Sequence, residues 1–281
     1  MDRETLKKIR RTFFQNRAAL VGLFVSLAVI VICVISPLLP LPDPLEQSFS
    51  QRFRPPSFEH LLGTDNFGRD VLSRVIWGGR ISLLVGVLSV LVAMVLGSII
   101  GLIAGYRGGY FDHLVMRVID VLMCFPTLIL GILFMAALGS GMNSLIIAIG
   151  VAIAPRFARL CRGSVLSVKE NDFVEAARSM GMTNTRIMFR HILPNVLGDM
   201  IVMGSMWIGA IIVTEASLSF IGLGIPPPTP SWGRMVREGM DYMGHAWWVS
   251  VYSGGAIFVT VIGFNLFGDG LRDILDPKLR R

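Results

Sequence analysis

Apolar residues run along this chain in long blocks without charge. Ala18–Pro42 carries no charged residue for 25 positions, Ile81–Tyr106 for 26, Val121–Pro155 for 35 and Ala246–Gly268 for 23. Val196–Ile225 is interrupted only by Asp199 and Glu215. About 20 apolar residues span the roughly 30 Å of a bilayer's hydrocarbon, so every block is long enough to cross, and the longest is too long to cross once. Its middle, Gly139-Ser140-Gly141-Met142-Asn143-Ser144, reads as a turn. The pattern predicts an all-α polytopic membrane protein with six transmembrane helices near residues 18–40, 81–106, 117–138, 144–162, 197–218 and 246–267. Core helices of soluble proteins use shorter apolar runs, about 10–14 residues. A transmembrane barrel needs alternating segments of about ten residues, and none is visible.

Composition agrees. The 281 residues are 53% hydrophobic and 16% charged, with mean hydropathy +0.65. Soluble domains carry about 25% charged residues. Disorder and a disulfide scaffold are both excluded, the latter because there are three cysteines. Lys and Arg set the orientation. With the N-terminus inside, the inner segments 1–17, 107–120, 156–195 and 269–281 hold 19 basic residues and the outer segments 43–80 and 225–245 hold 7. Both termini are therefore expected in the cytoplasm. The basic excess reads as orientation and lipid contact, with no nucleic-acid motif beside it. The first block exceeds a signal-peptide core and lacks a clear cleavage site, so it reads as a retained anchor. Cys33, Cys124 and Cys161 have no partner at metal-ligand spacing and read as small hydrophobes.

The longest inner segment, 156–195, is the most informative. Asn171-Asp172-Phe173-Val174-Glu175-Ala176-Ala177-Arg178-Ser179-Met180-Gly181 reads as a short helix, with Asp172 as N-cap, Glu175 three residues on as in a capping box, and Gly181 as a left-handed stop. Phe173, Ala176, Ala177 and Met180 fall at i, i+3, i+4 and i+7 and form one apolar stripe. Two turns of helix are not stable alone in water, so the stripe needs cover. That cover is either the chain's own membrane ends or a partner's groove.

The chemistry of an enzyme is missing. No Gly precedes any of the four lysines, so there is no phosphate-cradling G-x4-G-K-[ST]. There is no HExxH, GxSxG or CxxC, and the four histidines lie on different loops. No catalytic residue, metal ligand or cofactor is assigned to this chain.

Glu175-Ala176-Ala177, Gly181 and Leu193-Pro194 resemble the EAA loop of type I ABC importer permeases, with His191 where the consensus has Ile. Leu62-Gly63-Thr64-Asp65-Asn66-Phe67-Gly68-Arg69-Asp70, the run Glu215–Gly224, Pro230-Ser231-Trp232-Gly233 and Phe264–Asp269 are similar to the C-type permease of dipeptide, oligopeptide and nickel importers, the DppC/OppC group. The resemblance covers nearly the whole chain from Leu62. It implies the type I permease fold, with a five-helix core over 81–270 carrying the EAA coupling loop 156–195. Span 18–42 is then an added flank, 43–80 an outer loop and 271–281 a cytoplasmic tail. It implies a transport subunit of the bacterial inner membrane that forms half of the path for di- or oligopeptides, or alternatively for nickel or glutathione. It also implies partners: a second permease of the DppB/OppB kind, one or two ATPase subunits that bind ATP and Mg, and an extracytoplasmic binding protein. Phe173, Glu175, Ala176, Ala177, Met180 and Gly181 would couple to the ATPase. The rival class is an ion-coupled secondary carrier. Such carriers usually show internal repeats and midplane ionisable groups, and no convincing repeat is present here.

Acidic residues inside a span cost roughly 2.5–3.5 kcal/mol at the centre and point to function. Asp199 is expected near the inner surface and Glu215 near the outer mouth. Glu215 and Ser219 share a helical face and are candidates for the translocation path or gate, whereas Ser217 would join them only by local unwinding. Pro226-Pro227-Pro228 reads as stiff and extended, and Trp232, Tyr242, Trp247 and Trp248 as an interfacial belt. Gly86, Gly97, Gly101 and Gly105 mark a face of span two for close helix approach.

Overall fold

The computed structural model describes residues 16–275. Among them the regular structure is helical. Nine labelled helices follow the chain: α1 (Arg17–Val34), α2 (Val71–Arg107), α3 (Gly109–Cys124), α4 (Thr127–Leu138), α5 (Met142–Val168), α6 (Asp172–Ser179), α7 (Leu193–Phe220), α8 (Trp232–Met240) and α9 (Met243–Leu275). Of these, α1, α2, α5, α7 with the turns before it, and α9 are each long and apolar enough to cross a membrane. The sixth expected span is different. Residues 109–138 form two helices bent by 98°. Pro126 is the cause, because its ring pushes the preceding residue out of the helical region, and Phe125 is extended at φ −84°, ψ 138°. The expected single helix over 117–138 is thus a broken one. Its separation from the next span at Gly139–Gly141 is as the turn sequence predicted. Both glycines sit at positive φ.

Helix α2 starts ten residues before the charge-free block. Asp70 caps it by accepting a hydrogen bond from the Ser73 backbone N–H at 2.8 Å. Arg74 and Arg80 end the apolar pattern but not the helix. At about 1.5 Å per residue, α2 is roughly 55 Å long and overshoots the hydrocarbon.

The centre of the fold is the α2–α5 seam. Inside lipid, water gives no drive for helices to associate, so close backbone approach and packing must do it. The α2 glycines allow that approach. A Cβ on Gly97 would stand 2.4 Å from the Phe157 Cβ, and one on Gly101 would stand 2.4 Å from the Ala158 carbonyl oxygen. Leu102, Ile149, Ile153, Phe157 and Cys161 are buried around the seam. Helix α7 closes the core through Ile211 and Leu218. Helix α1 lies along α9, where Gly22 meets Leu266 and Phe267.

At the end that carries residues 43–70, a buried charge cluster ties that segment to α8. Asp65 Oδ2 accepts from Arg69 Nε at 2.7 Å and from Arg74 Nη1. Glu238 Oε2 accepts from Arg74 Nη2 at 3.0 Å and Arg69 Nη2 at 3.4 Å, and its Oε1 from Arg234 Nε at 2.7 Å. Burial, with Arg74 alongside, pushes the Arg69 guanidinium below its ordinary pKa, against the pull of Asp65 and Glu238. His60 completes the junction, its Nδ1 3.0 Å from Asp70 Oδ2 and its Nε2 3.2 Å from Gln51 Oε1.

The belt expectation fails for two of its tryptophans. Trp232 and Trp248 are buried, with their indole N–H groups donating to the Val75 and Thr64 carbonyls at 2.8 and 3.0 Å. They pack α8 and α9 onto the outer segment, while Trp247 remains exposed. The Pro226–Pro228 run is a turn rather than an extended rod, with a cis Pro227–Pro228 peptide.

Two outcomes test this architecture. Gly101→Ala should destabilise the protein by about 1–3 kcal/mol, because the new methyl meets backbone rather than a movable side chain. Gly254→Ala, at a site with open space, should not. Thermal unfolding of the purified protein in detergent compares them. In the same measurement, Asp65→Asn leaves two buried guanidiniums to share the single carboxylate of Glu238 and should cost about 3–5 kcal/mol. Glu59→Gln, which breaks only the exposed 3.4 Å pair with Arg54, should cost less than about 1 kcal/mol.

Candidate functional site

Three places carry chemistry: the short helix α6, the buried Glu215, and a polar cavity between them.

Helix α6 begins at Asp172, with Asn171 as N-cap and no side-chain capping bond. The expected Asp172–Glu175 capping box is therefore absent. Both carboxylates instead lie in the first turn, where they favour the positive end of the helix dipole. The stop is as expected, and its geometry is a Schellman motif. The Gly181 N–H donates to the Arg178 carbonyl at 3.0 Å and the Met182 N–H to the Ala177 carbonyl at 3.2 Å, with Gly181 at φ +74°.

The apolar residues of α6 divide between two faces. Val174 and Ala177 are buried in the core cluster that also holds Ile187 and Ile192. Phe173, Glu175, Ala176 and Met180 point away from it, Phe173 at 42% and Met180 at 69% exposure. So the chain covers one member of the predicted stripe, Ala177, together with Val174, and leaves the rest open.

The segment between α6 and α7 ties the short helix to the membrane helices. Residues Ile187–Ile192 form a π turn that runs directly into α7. Pro194 accounts for the widening: it has no N–H to donate, and its ring crowds the carbonyl four residues back. The Asn195 amide donates to the His191 carbonyl at 2.6 Å. Tyr106 Oη, at the end of α2, lies 2.8 Å from Asn184 Oδ1, and Lys169 Nζ donates to the Gly105 carbonyl at 3.2 Å. Helix α6 thus packs on the π turn that leads into α7, while the chain on either side of it is tied to the end of α2.

Glu215 is fully buried. Its Oε1 accepts from Ser219 Oγ at 2.7 Å, which bears out the shared helical face, and the Ser82 hydroxyl of α2 also faces the carboxyl, although Oε2 makes no hydrogen bond within 3.5 Å among the described residues. Gly233 of α8 lies against Ala216, and Gly224 against Ser219. Helix α8 seals the pair, so in this conformation Glu215 and Ser219 do not line an open mouth. Ser217 turns the other way, donating to the Val213 carbonyl at 2.8 Å beside an apolar cleft.

The hydropathy pattern gives no sign of the cavity. It has a volume of about 760 Å³ and lies among α3, α5 and α7, with Arg156, Arg159, Ser164, Asp199 and Trp207 on its walls. Arg159 pairs with Asp120, and Asp199 accepts from Ser164 Oγ at 2.6 Å. Arg162, further along α5, pairs with Asp112 at 2.6 Å. Arg156 lies 4.9 Å from the Trp207 ring centroid and donates to Thr127 Oγ1 at 3.3 Å. It stands about 21 Å along α5 from Met142 at ~1.5 Å per residue, within hydrocarbon depth. The signal for it is in the sequence: an arginine continuing an apolar span, where a charge costs roughly 2.5–3.5 kcal/mol. Counting it with the inner loop hides it.

Comparison with known proteins agrees with this geometry. The profile of binding-protein-dependent transport system inner membrane components matches residues 97–281, and that of the N-terminal transmembrane domain of oligopeptide transport permease C matches residues 5–56. The dipeptide transport system permease protein DppC of Alkalihalophilus pseudofirmus is 41% identical over 99% of this chain and 90% of its own length. The glutathione transport system permease protein GsiD of Pectobacterium atrosepticum is 45% identical over 96% and 90%. The di/tripeptide permease DppC of Pseudomonas aeruginosa is 39% identical over 98% and 93%. Among solved structures, a chain of the inward-facing methionine ABC transporter MetNI superposes with TM-score 0.59 over 73% of this chain and 98% of its own, at 19% identity, a likeness of fold. With these helices, this loop and these relatives, the chain is an integral membrane protein and belongs to the family of binding-protein-dependent transport system inner membrane components, the permease subunits of ABC importers.

Proposed function

We propose that this chain forms half of the translocation path of an ATP-driven importer of di- or oligopeptides or of a peptide-like solute such as glutathione, and that α6 is where a cytoplasmic ATPase grips it. The cargo class follows the relatives, which are named for dipeptide, di/tripeptide and glutathione transport. The partners follow the family: a second permease subunit, one or two ATPase subunits holding ATP and Mg, and a binding protein on the outer side. Both termini then lie in the cytoplasm, in line with the distribution of Lys and Arg.

One observation carries the coupling role. An eight-residue helix is pinned from behind by Val174 and Ala177, yet presents Phe173, Ala176 and Met180 outward beside Glu175. A short helix offering apolar anchors at helical spacing fits a groove on another protein. Because α6 follows α5 in the chain and packs on the π turn that runs into α7, a push on it is passed to those spans. This chain catalyses no covalent step.

Two experiments test the role. Phe173→Glu and Met180→Glu change exposed side chains only, so the membrane helices should keep their thermal stability, while ATPase subunits cease to copurify and ATP-driven uptake falls at least tenfold. Full uptake in both variants refutes the docking role. Gly181→Val strains a left-handed residue by about 1–3 kcal/mol without any steric neighbour. It should cut the stimulation of ATPase activity by loaded binding protein, and Gly181→Asn, which tolerates that conformation, should restore most of it.

A further inference from the structure

Arg156 is the one cation of the polar cavity whose pairing the chain leaves incomplete. Among the described residues, no carboxylate oxygen approaches its guanidinium within 4.0 Å, although Arg159 and Arg162 on the same helix both have carboxylate partners. Its hydrogen bonding is a single 3.3 Å bond from Nη2 to Thr127 Oγ1. The Trp207 ring lies within cation–π range of the guanidinium, and this restrains the fork without neutralising it. A guanidinium presents its N–H groups in a plane that matches a carboxylate with two parallel hydrogen bonds. The surrounding cavity, about 760 Å³, is of a size that binds small ligands. Asp199 lines the same cavity from α7 without pairing to Arg156, so a zwitterion entering the cavity meets both signs of charge.

We infer that Arg156, braced by Trp207, is a waypoint for the free carboxylate of a small peptide-like solute on its way through the membrane. This rests on the importer reading and adds the contact to which the cargo's negative end is handed inside the bilayer. The site is passed in transit, so affinity there is low: a waypoint that bound tightly would hold its cargo.

The test uses the purified transporter, with its second permease and ATPase subunits, in lipid nanodiscs without binding protein. Trp207 fluorescence is read as the difference between the unmodified assembly and Trp207→Phe. Ala-Ala and glutathione are titrated in parallel with Ala-Ala amide. The expected result is a saturable millimolar response to at least one of the two carboxylate probes, at least tenfold weaker for the amide. Arg156→Gln should lose it and Arg156→Lys should retain part. A response to neither carboxylate probe, equal responses to Ala-Ala and its amide, or an unchanged response in Arg156→Gln overturns the assignment. So does dissociation of the Arg156→Gln assembly, which would make Arg156 a partner of the second permease. The importer reading fails separately: absence of ATP-dependent uptake by the unmodified transporter with its binding protein refutes that reading, whatever the titration gives.

Discussion

The contact between α2 and α5 governs what the rest of this molecule can do. Within hydrocarbon, backbone groups must be satisfied inside each helix, so helices meet through side chains or through their absence. Glycines 97, 101 and 105 remove the side chains on one face of α2, and α5 lies down in the space. Everything with chemical character is then placed relative to α5. The cavity residues Arg156, Arg159 and Ser164 are on it. Asp112 and Asp120 reach it from α3. The loop bearing α6 begins where it ends. A slip of one residue along the seam would rotate the arginines away from their partners and shift α6 against its own support.

Charge is distributed by the same logic. At the end that carries residues 43–70, Asp65 and Glu238 are shared among Arg69, Arg74 and Arg234 in a junction between that segment and α8. Such a cluster adds little net stability compared with apolar packing, but breaking it is costly because it leaves a buried charge. It therefore fixes where α8 sits. Helix α8 in turn covers Glu215, whose carboxyl, among the described residues, has only the Ser219 and Ser82 hydroxyls beside it. Holding a carboxyl away from water costs free energy for as long as the cover stays closed. Lifting α8 would hydrate Glu215 and relieve that cost, so the seal is held by long-range ion pairs and opposed by the carboxyl it covers. That is a physical basis for two positions of one element.

Much of this was legible in the residues. Charge-free length gave the spans, Gly139–Gly141 gave the break between two of them, and glycine spacing gave the close-packed face of α2. Gly181 gave the end of α6, because a left-handed stop has a one-residue signature. Other features needed coordinates. The block over 121–138 looks continuous in hydropathy, and Pro126 alone marks the 98° bend. Trp232 and Trp248 carry the composition of an interface belt but are buried by contacts from distant residues, Val75 and Thr64. The division of the α6 stripe into a buried and an open face depends on Ile187 and Ile192, and no local pattern encodes that packing. Arg156 was hidden for another reason: it lies within the predicted span 144–162, but it is also the first residue of the inner segment 156–195, where it reads as one more orienting charge.

Rigidity and reach are then combined in one path. From Arg156 the helix α5 runs on for three turns to Val168. Lys169 is tied to the end of α2, and α6 is tied behind by Val174 and Ala177. The π turn at Ile187–Ile192 carries the chain straight into α7, which brings Asp199 and Trp207 back to the same cavity. The loop bearing α6 and the walls of the cavity thus belong to one closed circuit of helices. With its short links anchored at both ends, a displacement of α6 has no slack segment in which to be absorbed. It must emerge as a relative movement of α5 and α7, and so as a change in the space around Arg156. Coupling over that distance requires no separate signalling route, only that the seam between α2 and α5 stay tight while the α7 wall moves.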